Sequence, residues 1–256
     1  MLLRLLQIQT AFLAIVLGAG VNADTINVAV AANFAATLEK AMPYFEAATG
    51  HQLNIISGSS GRHYAQIVNG APFDVFLSAD SERPGALERE GIVTSDQRRV
   101  YALGRLAVWS RDPAMLTDLE SLSKLPPGAR IAIANPKLAP YGQAAVETLQ
   151  RLGIYESVKK QLVTGENVSQ VFQFAYSGSA AIGLVAYSQV LVAPEAGSYI
   201  VIPDSVYAPI VQEMVLLKSS PASRELFEYL SSEAMQPLLE AAGYFAPAKA
   251  KVGRTQ

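Results

Sequence analysis

The chain has 256 residues, no cysteine, two histidines, and 20 basic against 22 acidic side chains. A balance this close to neutral, without a run of Lys or Arg, excludes the basic footprint of a nucleic-acid binder and a polybasic membrane patch. Without disulfides the fold must be stabilised by its core alone, which a chain of this length and 50% hydrophobic content can build.

The first 23 residues read as a secretory signal. Arg4 supplies the early cation, Ala11 to Leu17 the apolar run, and Val21-Asn22-Ala23 the small-residue ending, so cleavage is expected before Asp24. The apolar run is well short of the roughly 20 residues a spanning helix needs. Losing Arg4 with that segment leaves 19 basic against 22 acidic side chains, a net charge of -3. With no cysteine at the cleavage point to carry lipid, the expected product is a freely diffusing monomer of the periplasm, with no membrane insertion and no nucleic-acid partner.

In chain order, Ile26 to Val30 reads as a strand, followed by a helix from about Phe34 to Ala48 with Phe34, Leu38, Ala41 and Phe45 on one face. Pro43 is expected to kink or shorten that helix. Leu53 to Ile56 is the next strand, Arg62 to Asn69 the next helix, and Asp74 to Leu77 a third strand. This alternation, with strands apolar on both faces, predicts a parallel sheet covered by helices. A second set begins near Arg105: strands at Arg105 to Trp109, Arg130 to Ala134 and Ala180 to Ala186, with helices at Gly142 to Leu152 and Val168 to Tyr176. Strands at Tyr199 to Ile202 and Ile210 to Leu217 and helices at Arg224 to Leu230 and Ala234 to Ala241 complete it, and the tail after Ala246 is expected to fray.

The fold class is therefore α/β with two lobes, each a mostly parallel sheet flanked by helices. Leu103 to Trp109 and Ile210 to Leu217 are strand-like and serve as the two crossing segments. Lobe 1 is expected over 24–103 plus 215–256 and lobe 2 over 104–214, with a ligand cleft between them.

In a parallel lobe the turns that start the helices share one edge of the sheet. Those turns are Ala31-Ala32-Asn33-Phe34, Ser59-Ser60-Gly61, Ala139-Pro140-Tyr141 and Gly165-Glu166-Asn167, the last preceding Val168. Each helix start offers unpaired N–H groups and partial positive charge. Asn33 and Ser60 can add a side-chain amide and a hydroxyl, and the glycines around Ser60 let an oxygen approach the main chain. Four such starts converging from two lobes would cage an anion with neutral donors. Taken singly, Ser and Asn are ordinary N-caps and Tyr141 an ordinary packed aromatic; the argument is their coincidence at equivalent positions.

Catalytic readings are weaker. Gly58-Ser59-Ser60-Gly61-Arg62 lacks the last glycine of G-x-S-x-G, and His63 shares the local helix with Ser60. Two histidines without H-E-x-x-H spacing argue against a catalytic metal, although a carboxylate-tyrosine site for ferric ion stays open. Asp80 reads as an end-of-strand cap, and Arg62 and Lys137 as solvated charges. No catalytic residue, metal ligand or cofactor is expected.

The strings "VAVAANF", "SGSSGRHYAQIVNGAPFDVFLSAD", "ANPKLAPYGQAAVETLQRLG" and "AAIGLVAYSQV" resemble the periplasmic molybdate-binding proteins of molybdate ABC importers, over essentially all of Asp24 to Ala246. The resemblance implies a type II periplasmic binding protein that closes on molybdate or tungstate and delivers it to membrane permease and ATPase subunits. It implies Asn33, Ser60 and Tyr141 as ligand-binding side chains, Val168 as a backbone donor, and Ala32 as a contact through its backbone or the wall. Where some members place a ligand tyrosine in "GLVAYSQV", this chain has Ala186; Tyr187 is one strand step away and expected to face elsewhere, leaving Tyr141 to supply the hydroxyl. A receptor for another oxyanion such as sulfate, and more remotely an exported serine hydrolase using Ser60, are the competing readings.

Overall fold

The structure, a computed structural model, describes residues 23–193 and 197–246. The stretch up to Asn22, where the secretory signal is expected, and the tail beyond Ala246 lie outside them.

Two five-stranded sheets carry the fold. The first is ordered β2 (Gln52–Gly58), β1 (Thr25–Ala31), β3 (Val75–Leu77), β10 (Ile210–Leu216), β4 (Arg98–Gly104). The second is ordered β7 (Leu162–Gly165), β6 (Ile131–Ala134), β8 (Ile182–Ala186), β5 (Leu106–Ser110), β9 (Ser198–Val201). The pairs β2-β1-β3 and β7-β6-β8 are parallel, whereas β10 and β5 run antiparallel to both their neighbours. Four strands of each sheet thus point one way, and the reversed strand is the one that has just arrived from the other sheet.

The chain passes between the sheets twice. Only Arg105 separates β4 from β5, and the segment between β9 and β10 returns it. Residues 210–216 form β10 in the first sheet, so the division expected at 214/215 falls inside this strand.

Strand alternation divides the first sheet's core. Val28, Val30, Val75, Leu77, Met214 and Leu216 face one side, covered by α1 (Ala35–Thr49), α8 (Pro221–Leu230) and α9 (Gln236–Ala241). Ala29, Phe76 and Val215 face the other, covered by α2 (Ser60–Val68) and α3 (Glu82–Arg89). In the second sheet α4 (Pro140–Arg151), α5 (Tyr155–Val158), α6 (Val168–Tyr176) and α7 (Tyr187–Val190) surround a core that includes Trp109, Leu149, Val171 and Leu184. Ala31, Ala32 and Ala79 of the first lobe join this second core, so the apolar interiors meet where the lobes touch.

Pro43 neither shortens nor interrupts α1, which runs its 15 residues to Thr49 and closes on Gly50 at φ 76°. The buried stripe of Leu38, Ala41 and Phe45 continues past the proline, and tertiary packing outweighs the one backbone hydrogen bond it removes.

Candidate functional site

Four helix starts meet at one small space. Its lining includes Asn33 and Ser60 from the first lobe and Pro140, Tyr141 and Val168 from the second, with Ala32 on the wall. The cavity volume is about 10 Å³, and no Asp, Glu, Lys, Arg or His lines it. Asn33, Ser60, Tyr141, Val168 and Ala32 are each buried, and the fold brings all five together.

Local capping frees the donors. Ser59, not Ser60, caps α2 by accepting from the Arg62 N–H, and Asn167 caps α6 by accepting from the Gln170 N–H at 3.0 Å. Asn33 caps nothing: the residue before α1 is Phe34, without a side-chain cap. The main-chain N–H groups of Asn33, Ser60, Tyr141 and Val168 have no acceptor among the described residues. These are orphan donors of the first helical turns or of the loop entering one.

The two hydroxyls are oriented. Ser60 Oγ accepts the Ala79 N–H at 2.9 Å, and Tyr141 Oη accepts from Gln212 Nε2 at 3.3 Å. With an acceptor lone pair so engaged, each hydroxyl keeps its proton to donate, and neither finds a protein acceptor among the described residues. Burial pushes the Tyr141 phenol well above the ordinary tyrosine range, with Tyr244 and Tyr101 adding to the effect. The group therefore stays protonated and neutral at physiological pH. A site of this kind presents hydrogen and partial positive charge from several directions and offers no full charge.

Sequence reasoning missed Gln212, Tyr101, Tyr244, Ser188 and Ser169. Gln212 is fully buried in β10; its Oε1 accepts from Tyr101 Oη at 2.8 Å and from Asn33 Nδ2 at 3.0 Å. A lone amide in the apolar run "IVQEMVLL" was the available signal. The Asn33 amide donors thus face Gln212 and Tyr244, which leaves the Asn33 main-chain N–H as its free donor. Gly104 lies against this network: a Cβ there would fall 2.6 Å from Gln212 Nε2.

Contacts across the cleft hold the lobes together. The Gly61 N–H donates to Leu138 O at 2.8 Å, Ser169 Oγ to Ala32 O at 3.2 Å, and Ser188 Oγ to Asn33 O at 2.9 Å. At the rim Arg62 pairs with Glu166 at 2.8 Å with both side chains about half exposed, and Arg83 donates to Lys137 O at 3.0 Å. Arg62 therefore closes a rim ion pair outside the lining.

The remaining candidates serve the fold. Asp80 accepts the Arg83 N–H at 2.9 Å and pairs with the Arg83 guanidinium, fixing the start of α3. His63 is buried, with Nε2 at 3.1 Å from Val30 O and Nδ1 at 3.1 Å from Gln66 Oε1, so it is no base for Ser60. Tyr187 packs its ring on the Arg105 guanidinium, 4.9 Å from the ring centroid, and beside Tyr199. Among the described residues no group of three or more His, Cys, Asp or Glu could hold a metal ion, and no helix is long and apolar enough to cross a membrane. A larger groove of 270 Å³ near the crossing segment carries Asp80, Glu82 and Glu147 and no cation. Its charge is wrong for an anion.

A two-sheet fold that holds a charge-free cage of donors between its halves defines a protein that binds a small solute. The chain belongs to the family described as bacterial extracellular solute-binding proteins, which it matches over residues 26–245. It is 41% identical over 237 residues to the molybdate-binding protein ModA of Rhodobacter capsulatus, covering 91% of this chain and 93% of that one. It is 40% identical to the protein of the same name from Azotobacter vinelandii, covering 91% and 96%. Among solved structures, the periplasmic molybdate-binding protein of Azotobacter vinelandii superposes with a TM-score of 0.82 at 36% identity, covering 87% of this chain and 99% of that chain. Members of such a family bind solutes and are not enzymes.

Proposed function

We propose that this protein is the periplasmic receptor of an ABC importer for molybdate and tungstate, closing its two lobes on the dianion. The observation that carries the reading is the set of unpaired donors around a charge-free space: the Ser60 and Tyr141 hydroxyls and the N–H groups of Asn33 and Val168, with Ala32 shaping the wall. The names of relatives near 40% identity supply the ion. Hinge motion about Arg105 and the segment before Ile210 opens the cage, and a membrane permease with its ATPase receives the ion there.

Neutral donors suit capture followed by release. Each neutral hydrogen bond is worth roughly 0.5 to 1.5 kcal/mol net, and the set is lost together when the lobes part, whereas a buried arginine would hold the ion more tightly. Donors alone also select. Monohydrogen phosphate brings a proton that needs an acceptor, and burying it unpaired costs about 1 to 3 kcal/mol. Sulfate has no such proton, but its shorter bonds keep its oxygens from reaching all donors at once.

A thermal-shift screen of the mature chain with molybdate, tungstate, sulfate and phosphate tests the proposal. Stabilisation by the first two, with little from the others, is the expected pattern. Equal shifts for molybdate, tungstate and sulfate would remove the size argument, and ester turnover lost in Ser60→Ala would favour a hydrolase.

A further inference from the structure

We infer that Gln212 is a positioning residue that fixes the direction of the Tyr141 hydroxyl proton, so that this hydroxyl donates into the cage. The inference rests on the oxyanion reading above.

A buried amide has two chemically different ends, and here each end has an assigned neighbour. Oε1 takes protons from Tyr101 and Asn33, and Nε2 gives one to Tyr141 Oη. Turned over, the amide would set Oε1 against Tyr141 and accept its proton, withdrawing the donor from the cage. Tyr101 does not prevent that reversal, because its hydroxyl also has Ser78 O at 3.2 Å as an acceptor.

Asn33 prevents it. The Tyr244 hydroxyl donates to Asn33 O at 2.8 Å, shorter than its 3.0 Å approach to Ser188 Oγ. Tyr244 Oη is then left to accept from Asn33 Nδ2 at 3.1 Å. With Nδ2 fixed on that side, its second proton goes to Gln212 Oε1, and Nε2 must face Tyr141. A relay of assigned donors therefore runs from Tyr244 through Asn33 and Gln212 to Tyr141, from the first lobe into the second.

Backbone geometry supports the same role. Gln212 pairs with Ala102 and Glu213 with Val100, so Tyr101 is the extra residue of a bulge in β4. Bulges re-aim side chains, and this one sets the Tyr101 hydroxyl against Oε1. Gly104 leaves the room that Nε2 and Tyr141 Oη occupy.

Calorimetry with sodium molybdate on a double-mutant cycle tests the assignment. Gln212→Met keeps length and removes both polar ends; Gln212→Glu keeps the acceptor and removes the donor. Each is expected to weaken binding about 3- to 10-fold or more, as is Tyr141→Phe. Adding Tyr141→Phe to either should cost much less than it does alone, because the hydroxyl has already been turned away by the carboxylate of Gln212→Glu and left without a fixed direction in Gln212→Met. Multiplicative losses in the cycle, or unchanged affinity in Gln212→Met, overturn the inference while leaving the functional reading intact. Should neither variant fold, a neutron structure of the wild-type complex reads the Tyr141 proton directly. A proton facing Gln212 overturns the assignment, and one facing the ion supports it. A wild-type chain that binds none of the four oxyanions overturns the functional reading and this inference with it.

Discussion

Gly61 donates its main-chain N–H to the carbonyl oxygen of Leu138 at 2.8 Å, tying the first turn of α2 to the loop that enters α4 in the other lobe. A Cβ at Gly61 would lie 2.9 Å from that oxygen and 3.0 Å from the Leu138 Cα, both backbone atoms of the opposite lobe. The glycine is there for the approach of two lobes, since α2 would itself prefer alanine by about 1 kcal/mol.

Gly61→Ala should therefore separate folding from closure. The ligand-free variant is expected to melt within a few degrees of wild type, while molybdate binds at least about tenfold more weakly, a loss of roughly 1.4 kcal/mol. Small-angle scattering should show less compaction on adding the ion than wild type does. Unchanged affinity would mean that this contact is not part of the bound state.

The two pocket hydroxyls should behave differently when removed. Ser60→Ala withdraws the acceptor of the Ala79 N–H and leaves that buried group unpaired, so stability should fall by about 1 to 3 kcal/mol along with several-fold weaker binding. Tyr141→Phe leaves only one Gln212 proton without its partner at 3.3 Å and should lose binding with a smaller stability change. Urea unfolding and calorimetry on both variants check this, and wild-type affinity in both would contradict the site.

Burial lowers the His63 pKa below its ordinary value near 6.5, against the opposing pull of Gln66 and the Val30 carbonyl. The unfolded chain then binds a proton more readily than the native one as pH falls below about 6.5. The stability that neutral His63 contributes is complete above that pH and is lost as pH falls through the lower native value. His63→Gln should lose less stability than wild type between pH 7.5 and pH 5.0. Parallel curves for the two proteins would assign the acid sensitivity elsewhere.

Arg62 and Glu166 pair at 2.8 Å across the rim with 56% and 48% of their side chains exposed. Exposed pairs contribute about 0 to 1 kcal/mol and are screened by salt. Arg62→Ala should weaken molybdate binding by less than about fivefold, with the difference shrinking at high ionic strength. A loss of a hundredfold or more would make Arg62 a direct partner of the ion.

The site was legible because its parts are local: a strand end, a helix start, and residues whose side chains or N–H groups are free there. Asn33, Ser60, Tyr141 and Val168 could be named from adjacency to apolar runs, and the sheet brought them together. Gln212 and Tyr244 were not legible, because their meaning comes from partners 111 residues away for Tyr101 and 211 residues away for Asn33. Side-chain chemistry also misassigned the details, since the amide of Asn33 faces Gln212 and Tyr244. Helix α3 escaped notice because Pro84 and Gly85 sit inside it, yet Asp80 accepting from the Arg83 N–H starts it regardless. Pro43 misled in the opposite direction, its local cost being outweighed by the packed face of α1.

A crystal of the mature protein grown with sodium molybdate, measured for the metal's anomalous scattering, addresses the account most directly. The expected result is one strong peak between the lobes, its oxygens within hydrogen-bond distance of Ser60 Oγ, Tyr141 Oη and the N–H groups of Asn33 and Val168. A peak held by Arg62 or Lys137, or no peak between Ser60 and Tyr141, would contradict it.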